Sequence, residues 1–248
     1  MWKRICATLA LFAGAAAAFG HGGGLSVGAG GILGKSFTNY TLHADGPIAR
    51  VSANQNVRQF DYGFFVFLDV TYATFAVFLQ NGAYNFDEPV QVVGIPLDMS
   101  RSGLGWETAL GFSALGRFPI RLNDRLSVFP LLGMDYQIAL SRRRTNVLGR
   151  VYHRNDGVWE VDKDDNAFRL SDWNAFHVRV GAGAEFSLGE RLFLRGDVLY
   201  GIRLMTGHER KNLTLMKKMS GDNSPTLGGL NSGPSVRLGA GLRLFVRE

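Results

Sequence analysis

The sequence predicts an all-β chain: an eight-stranded antiparallel up-and-down barrel that crosses a bilayer, with short turns at one end and long loops at the other. Three observations predict it. Between 173 and 205 apolar and polar residues alternate over runs of about a dozen positions, where a globular strand runs to about five or six. The polar face of those runs is rich in glycine and in charges of both signs, like the filled interior of a narrow barrel. Strand-like runs are separated in turn by short breaks and by the long polar stretches 36–59, 81–102, 141–172 and 206–233. A compact soluble domain seldom holds four such stretches; a transmembrane barrel expects them.

From the start, Met1-Trp-Lys-Arg is a basic segment, Ile5 to Ala13 an apolar run, and Ala18-Phe19-Gly20 a small-residue cleavage site. Residues 1–20 are therefore expected to be a secretory signal peptide and 21–248 the barrel domain. The first strand is expected near 24–35, its glycines blurring the alternation. The second, 60–72, places Tyr62, Phe64, Val66 and Leu68 on one face and Asp61, Gly63, Phe65, Phe67 and Asp69 on the other. A tight turn near 71–73 leads to a third with Phe75, Val77 and Leu79 outward. Residues 103–118 turn Leu104, Trp106, Leu110 and Phe112 outward and Glu107 inward; 126–140 turn Leu132, Met134 and Tyr136 outward and Asp135 and Gln137 inward. Pro130 within that run needs an interruption of the ladder. Residues 173–205 form a hairpin, and 234–248 the closing strand.

Parity sets the hairpin register. A three-residue loop at 189–191 puts Leu188 opposite Leu192 and Glu185 opposite Arg195, an opposite-charge pair. A two-residue loop would drive Arg195 and Asp197 onto the apolar side, and is rejected.

Composition narrows the class. The only cysteine, Cys6, falls in the expected leader, so no disulfide supports the mature chain. The formal net charge of +6 drops to +4 without Lys3 and Arg4, no argument for nucleic acid. No apolar run of helix-spanning length follows the leader, so any membrane crossing is by strands closed into a barrel. Tyr62, Trp106, Tyr136, Phe176 and Tyr200 near the loop ends, with Tyr72, Phe118 and Phe186 at the turn ends, form two expected aromatic girdles.

The chain resembles the small eight-stranded bacterial outer-membrane β-barrel superfamily of OmpW, OmpA and OmpX type. The most local likeness is in Phe129-Pro-Leu-Leu-Gly-Met-Asp-Tyr136 and in Gly181-Ala-Gly-Ala-Glu-Phe186 followed by Arg191-Leu-Phe-Leu-Arg195, which look like penultimate strands of OmpW-like proteins. The family usually ends on an aromatic residue read by the assembly machinery; here Phe245 is followed by Val-Arg-Glu. The resemblance implies an outer-membrane location, periplasmic turns, cell-surface loops, and membrane lipid and the assembly machinery as partners.

Eight strands leave a bore that side chains can fill. The inward ionic set is Glu107, Asp135, His177, Arg179, Glu185, Arg195, Asp197, Arg203 and Arg237, expected to pair as a network. One functional reading is a plugged structural barrel, or a narrow conduit opened by rearranged pairs. Another is an OmpW-like path for small hydrophobic molecules walled by Phe65, Phe67, Phe78 and Phe129. The alternative is an adhesin that meets host or surface ligands through its loops. A lipocalin-like soluble barrel would have an apolar bore, the reverse of 173–205. A lipid-modifying enzyme would need a serine tied to His177, and no sequence context supplies one. No metal-ligand spacing or cofactor motif is present. Arg142, Arg143 and Arg144 are expected as an exposed loop rim facing anionic headgroups.

Overall fold

A computed structural model of the chain describes residues 24–47, 50–93, 97–153, 157–160, 170–204, 206–221 and 225–244. The expected signal peptide and the residues after Leu244 lie outside them. Eight long strands make the wall: β1 (Leu25–Asp45), β2 (Arg50–Val70), β3 (Ala73–Asp87), β5 (Leu97–Arg117), β7 (Leu126–His153), β9 (Ala175–Ser187), β10 (Leu192–Arg203) and β11 (Thr226–Arg243). Short pieces β4 (Val90–Val93), β6 (Ile120–Arg121) and β8 (Gly157–Glu160) pair along the edges, and one helix, α1 (Gly207–Ser220), precedes β11. Each wall strand pairs antiparallel with the next, and β11 returns to β1 over sixteen residue pairs from Ser26–Arg243 to His43–Thr226. No edge of the wall is left open there, which is what closure requires.

The hairpin register follows parity. Leu188 N–H donates to the Leu192 carbonyl at 2.9 Å, and Glu185 sits opposite Arg195. Pro130 fits because the β5 ladder stops at Leu131 and β6 resumes only at Val128, so its missing N–H falls in a gap.

The expected loops are mostly sheet. The stretch 36–59 continues β1 and β2 with unbroken pairing up to Asp45–Arg50, and only the Asp45-Gly46-Pro47 signal is a turn. Stretch 81–102 continues β3 and β5, 141–153 continues β7, and 207–220 is α1. The cause is an exchange of polarity between faces. On β2, Phe60, Tyr62, Phe64, Val66 and Leu68 point outward, and Asp61 and Asp69 point in. Beyond, the outward residues are Arg58, Asn56, Asn54 and Ser52, and the inward ones Val57, Ala53 and Val51. On β1 the outward face changes from Leu33 and Phe37 to Asn39, Thr41 and His43, while Tyr40, Leu42 and Ala44 turn inward and are buried. Polarity is inside-out for the length of chain that spans a bilayer, then reverts to that of a water-soluble barrel.

Candidate functional site

Inward glycines make room for inward rings. A Cβ on Gly111 would lie 2.0 Å from Phe78, one on Gly183 2.2 Å from Phe129, one on Gly28 2.3 Å from Phe67, and one on Gly105 2.2 Å from Tyr84. Each ring thus lies over its register partner on the neighbouring strand, inside the wall. Phe65 and Phe67 stack at 5.6 Å, and Phe67 meets Phe193 at 6.2 Å. Of the four expected wall residues, Phe65, Phe67, Phe78 and Phe129 are each exposed by 4% or less.

Charges interleave with the rings. Toward the turn end, Arg195 binds Asp69 at 2.6 Å and Asp197 at 2.9 Å, and Arg117 reaches Asp69 at 2.6 Å and Glu185 at 3.2 Å. Arg243 meets Glu185 at 2.5 Å, and Thr74 donates to Asp69 at 2.6 Å. Three carboxylates face three guanidiniums, so this tier is formally neutral. Arg117 and Arg195 also lie over Phe129, at 4.4 and 5.1 Å from its centroid. Higher up, Asp135 takes Arg179 at 2.8 Å and Arg237 at 3.2 Å, and Arg237 donates to Ser113. His177 lies beside this group, its Nδ1 without a hydrogen-bond partner among the described residues. A polar cavity of about 50 Å³ follows, bordered by Asp61, Gln80, His177, Arg179 and Arg203.

A second closure covers that cavity. Arg142 pairs with Glu107 at 2.6 Å and lies between Trp173, at 3.4 Å, and Tyr84, at 4.5 Å. Trp173 ends a short 3-10 turn, Leu170–Trp173, that is tied to α1 by Lys211–Asp172 at 2.5 Å. Thr206 and Glu209 form a capping box at the start of α1, and the buried Glu209 takes Arg203 at 2.8 Å. Leu213 packs on Leu42, Ala44 and Val51. Burial beside Glu209 pushes the Tyr40 hydroxyl well above the ordinary phenol range.

The nine expected ionic residues all face inward, with partners that parity alone does not reveal. Glu185 bonds Arg117 and Arg243, and Arg195 reaches past it to Asp69. Asp69, Arg117 and Arg243 belong to the same network. Asp69 stands on the inward face of the expected 60–72 run; Arg117 and Arg243 continue the inward parity of their strands. The arginine rim is corrected. Opposite Thr108–Ala109 of β5 stand Ser141 and Ala139 of β7, a bulge at Leu140 that shifts parity by one and turns Arg142 inward, leaving Arg143 outward. The Arg144 side chain lies outside the described residues. Both girdles are outward. Tyr62, Trp106, Tyr136, Tyr200, Tyr72, Phe118 and Phe186 are exposed, Phe176 is half-buried, and rings meet in the pairs Tyr136–Phe176 at 6.5 Å and Tyr72–Phe118 at 6.4 Å.

Between the girdles the exterior is apolar on every wall strand, with Leu132, Leu238, Phe64 and Val198 all more than half exposed. So wide an apolar belt does not face water. The fold is that of a small eight-stranded membrane-spanning β-barrel. Among solved structures, this barrel is similar to Neisserial surface protein A at 13% identity, TM-score 0.33, over 89% of this chain and 97% of that one. It is similar to the attachment invasion locus protein Ail of Yersinia pestis at 14% identity, TM-score 0.27, over 90% and 99% of the two chains. It is similar to OprG of Pseudomonas aeruginosa at 11% identity, TM-score 0.28, over 90% and 96%. No protein-family model matches the chain, and no curated protein does.

Proposed function

We propose that this small barrel is an integral outer-membrane protein whose bore is closed, and whose working surface is the ordered extension beyond the membrane. The observation that carries the reading is the double closure of the lumen. The ring-and-arginine tier between Phe67, Phe129 and Arg195 lies below, and Arg142, Trp173 and α1 lie above. A conduit for apolar molecules would need Phe65, Phe67, Phe78 and Phe129 to line a path; here the rings obstruct it. The extension favours recognition at the cell surface, because long loops alone would be mobile, whereas paired β1–β2 and β3–β5 ribbons hold a fixed polar face.

Planar-bilayer conductance and uptake of apolar solutes into proteoliposomes test the closed bore. The expected result is no unitary step and no uptake above protein-free vesicles. Steady conductance or saturable uptake by the wild-type chain would overturn it.

A further inference from the structure

Where the exterior changes from apolar to polar, one row of outward residues crosses five strands in register. Lys35 stands opposite Phe60, Phe60 opposite Ala83, Ala83 opposite Trp106, and Trp106 opposite Arg143. The small Ala83 between two aromatic side chains leaves a slot, and a groove of about 330 Å³ opens there between Phe60, Leu104 and Trp106. Arg58 stands one row above, opposite Asn85. The groove is therefore apolar in its body and cationic at its upper rim.

Lys35 and Arg58 line the groove, and Arg143 stands next to it beyond Trp106. Lys35 lies 5.1 Å from the Phe37 ring, and no carboxylate among the described residues pairs with Lys35, Arg58 or Arg143. Asp87, outward on β3 beyond Asn85, makes no ion pair with Arg58. Elsewhere the chain pairs its arginines closely, as Arg50 does with Asp45 at the ribbon tip. Lys35 and Arg143 are four strand spacings apart, on the order of 15–20 Å along the curved wall.

We infer that this groove is a binding site for a phosphate-bearing lipid of the leaflet next to the extension. An acyl chain occupies the slot over Ala83 between Phe60 and Trp106, one phosphate lies between Lys35 and Arg58, and Arg143, beyond Trp106, faces a second phosphate of the same headgroup. Guanidinium offers phosphate two parallel donors, and each cation adds to the attraction of an anionic headgroup. The aromatic pair sits at headgroup depth, where such rings are stable. The assignment rests on the membrane reading above, because only a bilayer brings an acyl chain and a headgroup to this height together.

The test uses the full mature chain in phosphatidylcholine nanodiscs doped with a bis-phosphorylated glycolipid or its dephosphorylated form, with bound lipid counted by native mass spectrometry. The phosphorylated lipid is expected to be retained and the dephosphorylated one not. Removing one cation by Lys35→Ala, Arg58→Ala or Arg143→Ala should weaken retention roughly fivefold, and removing all three roughly a hundredfold. Arg50→Ala, at the ribbon tip, should leave it unchanged, and heat-modifiable migration on gels verifies that each variant folds. Equal retention of both lipids, or by the triple variant, overturns the site. Displacement by inorganic phosphate alone overturns the lipid assignment in favour of a free anion. A chain that never enters the bilayer sinks the membrane reading itself, which migration and insertion report separately from lipid selectivity.

Discussion

Asp69 on β2 and Arg195 on β10 are 126 residues apart in the chain and three strands apart around the ring, yet they meet at 2.6 Å. Arg195 spends its remaining donors on Asp197 and Thr74, and Asp69 also receives Arg117. The pair ties strands that share no backbone hydrogen bond, and it sits against the Phe67 ring.

Removing Asp69 leaves the buried tier one negative charge short, with Arg195 held only by Asp197 and Arg117 only by Glu185. Asp69→Leu is expected to cost about 3–5 kcal/mol, because an uncompensated buried charge is the dominant penalty. Urea unfolding of the barrel in lipid vesicles measures it; a loss under about 1 kcal/mol would mean that water reaches this tier.

Gly111 exists for Phe78. Gly111→Val should destabilise by about 1–3 kcal/mol through overpacking, since its Cβ would lie 2.0 Å from the ring. Adding Phe78→Ala should restore much of that loss. A double-mutant cycle with no coupling would show that the ring does not occupy the space over the glycine.

The exchange of polarity along β1 and β2 predicts a sharp contrast between the membrane-facing wall and the extension. Leu132→Arg, outward between the girdles, should cost about 2–4 kcal/mol if the residue lies near the bilayer midplane. Asn54→Arg, outward on the extension, should stay within about 0.5 kcal/mol. Similar costs at the two positions would place the membrane boundary elsewhere.

The capping box holds α1 over the mouth. Thr206→Ala should lower stability by about 1 kcal/mol, with its effect confined to α1 and the 170–173 turn. Hydrogen exchange resolved by peptide reads this; faster exchange spread evenly over the wall strands would contradict a separate lid.

Alkaline pH should release the same lid. The Tyr40 hydroxyl, buried near Glu209, Arg203 and Glu88, has its pKa raised in the folded state above the ordinary 10.0. Its contribution is complete below that unfolded value and is lost as pH climbs through the raised one. Protection of α1 should therefore hold through neutral pH and fall only above about 10, and Tyr40→Phe should remove that alkaline loss.

Much of this was legible in the residues. Alternation over 60–72, 103–118 and 173–205 assigned the wall, its inward charges and its outward rings, because each side chain in a strand must choose one of two faces. The stretches 36–59 and 81–102 read as loops because the polar residues moved to the other parity. Val57, Tyr84 and Phe86 were visible as isolated hydrophobes and became a core only when β2 and β3 placed them together. Arg142 was expected on an exposed rim because 141–172 read as a loop; β7 continues through its start, and a bulge, which leaves no mark in composition, turns that side chain inward.

What the sequence determined by itself was local: which positions are strands, which face is apolar, where the tight turns fall. Only the closed barrel decided who meets whom across the lumen. Partners such as Asp69–Arg195 and Arg142–Trp173 depend on shear, side-chain length and the space that glycines leave, and these exist only once eight strands share one interior.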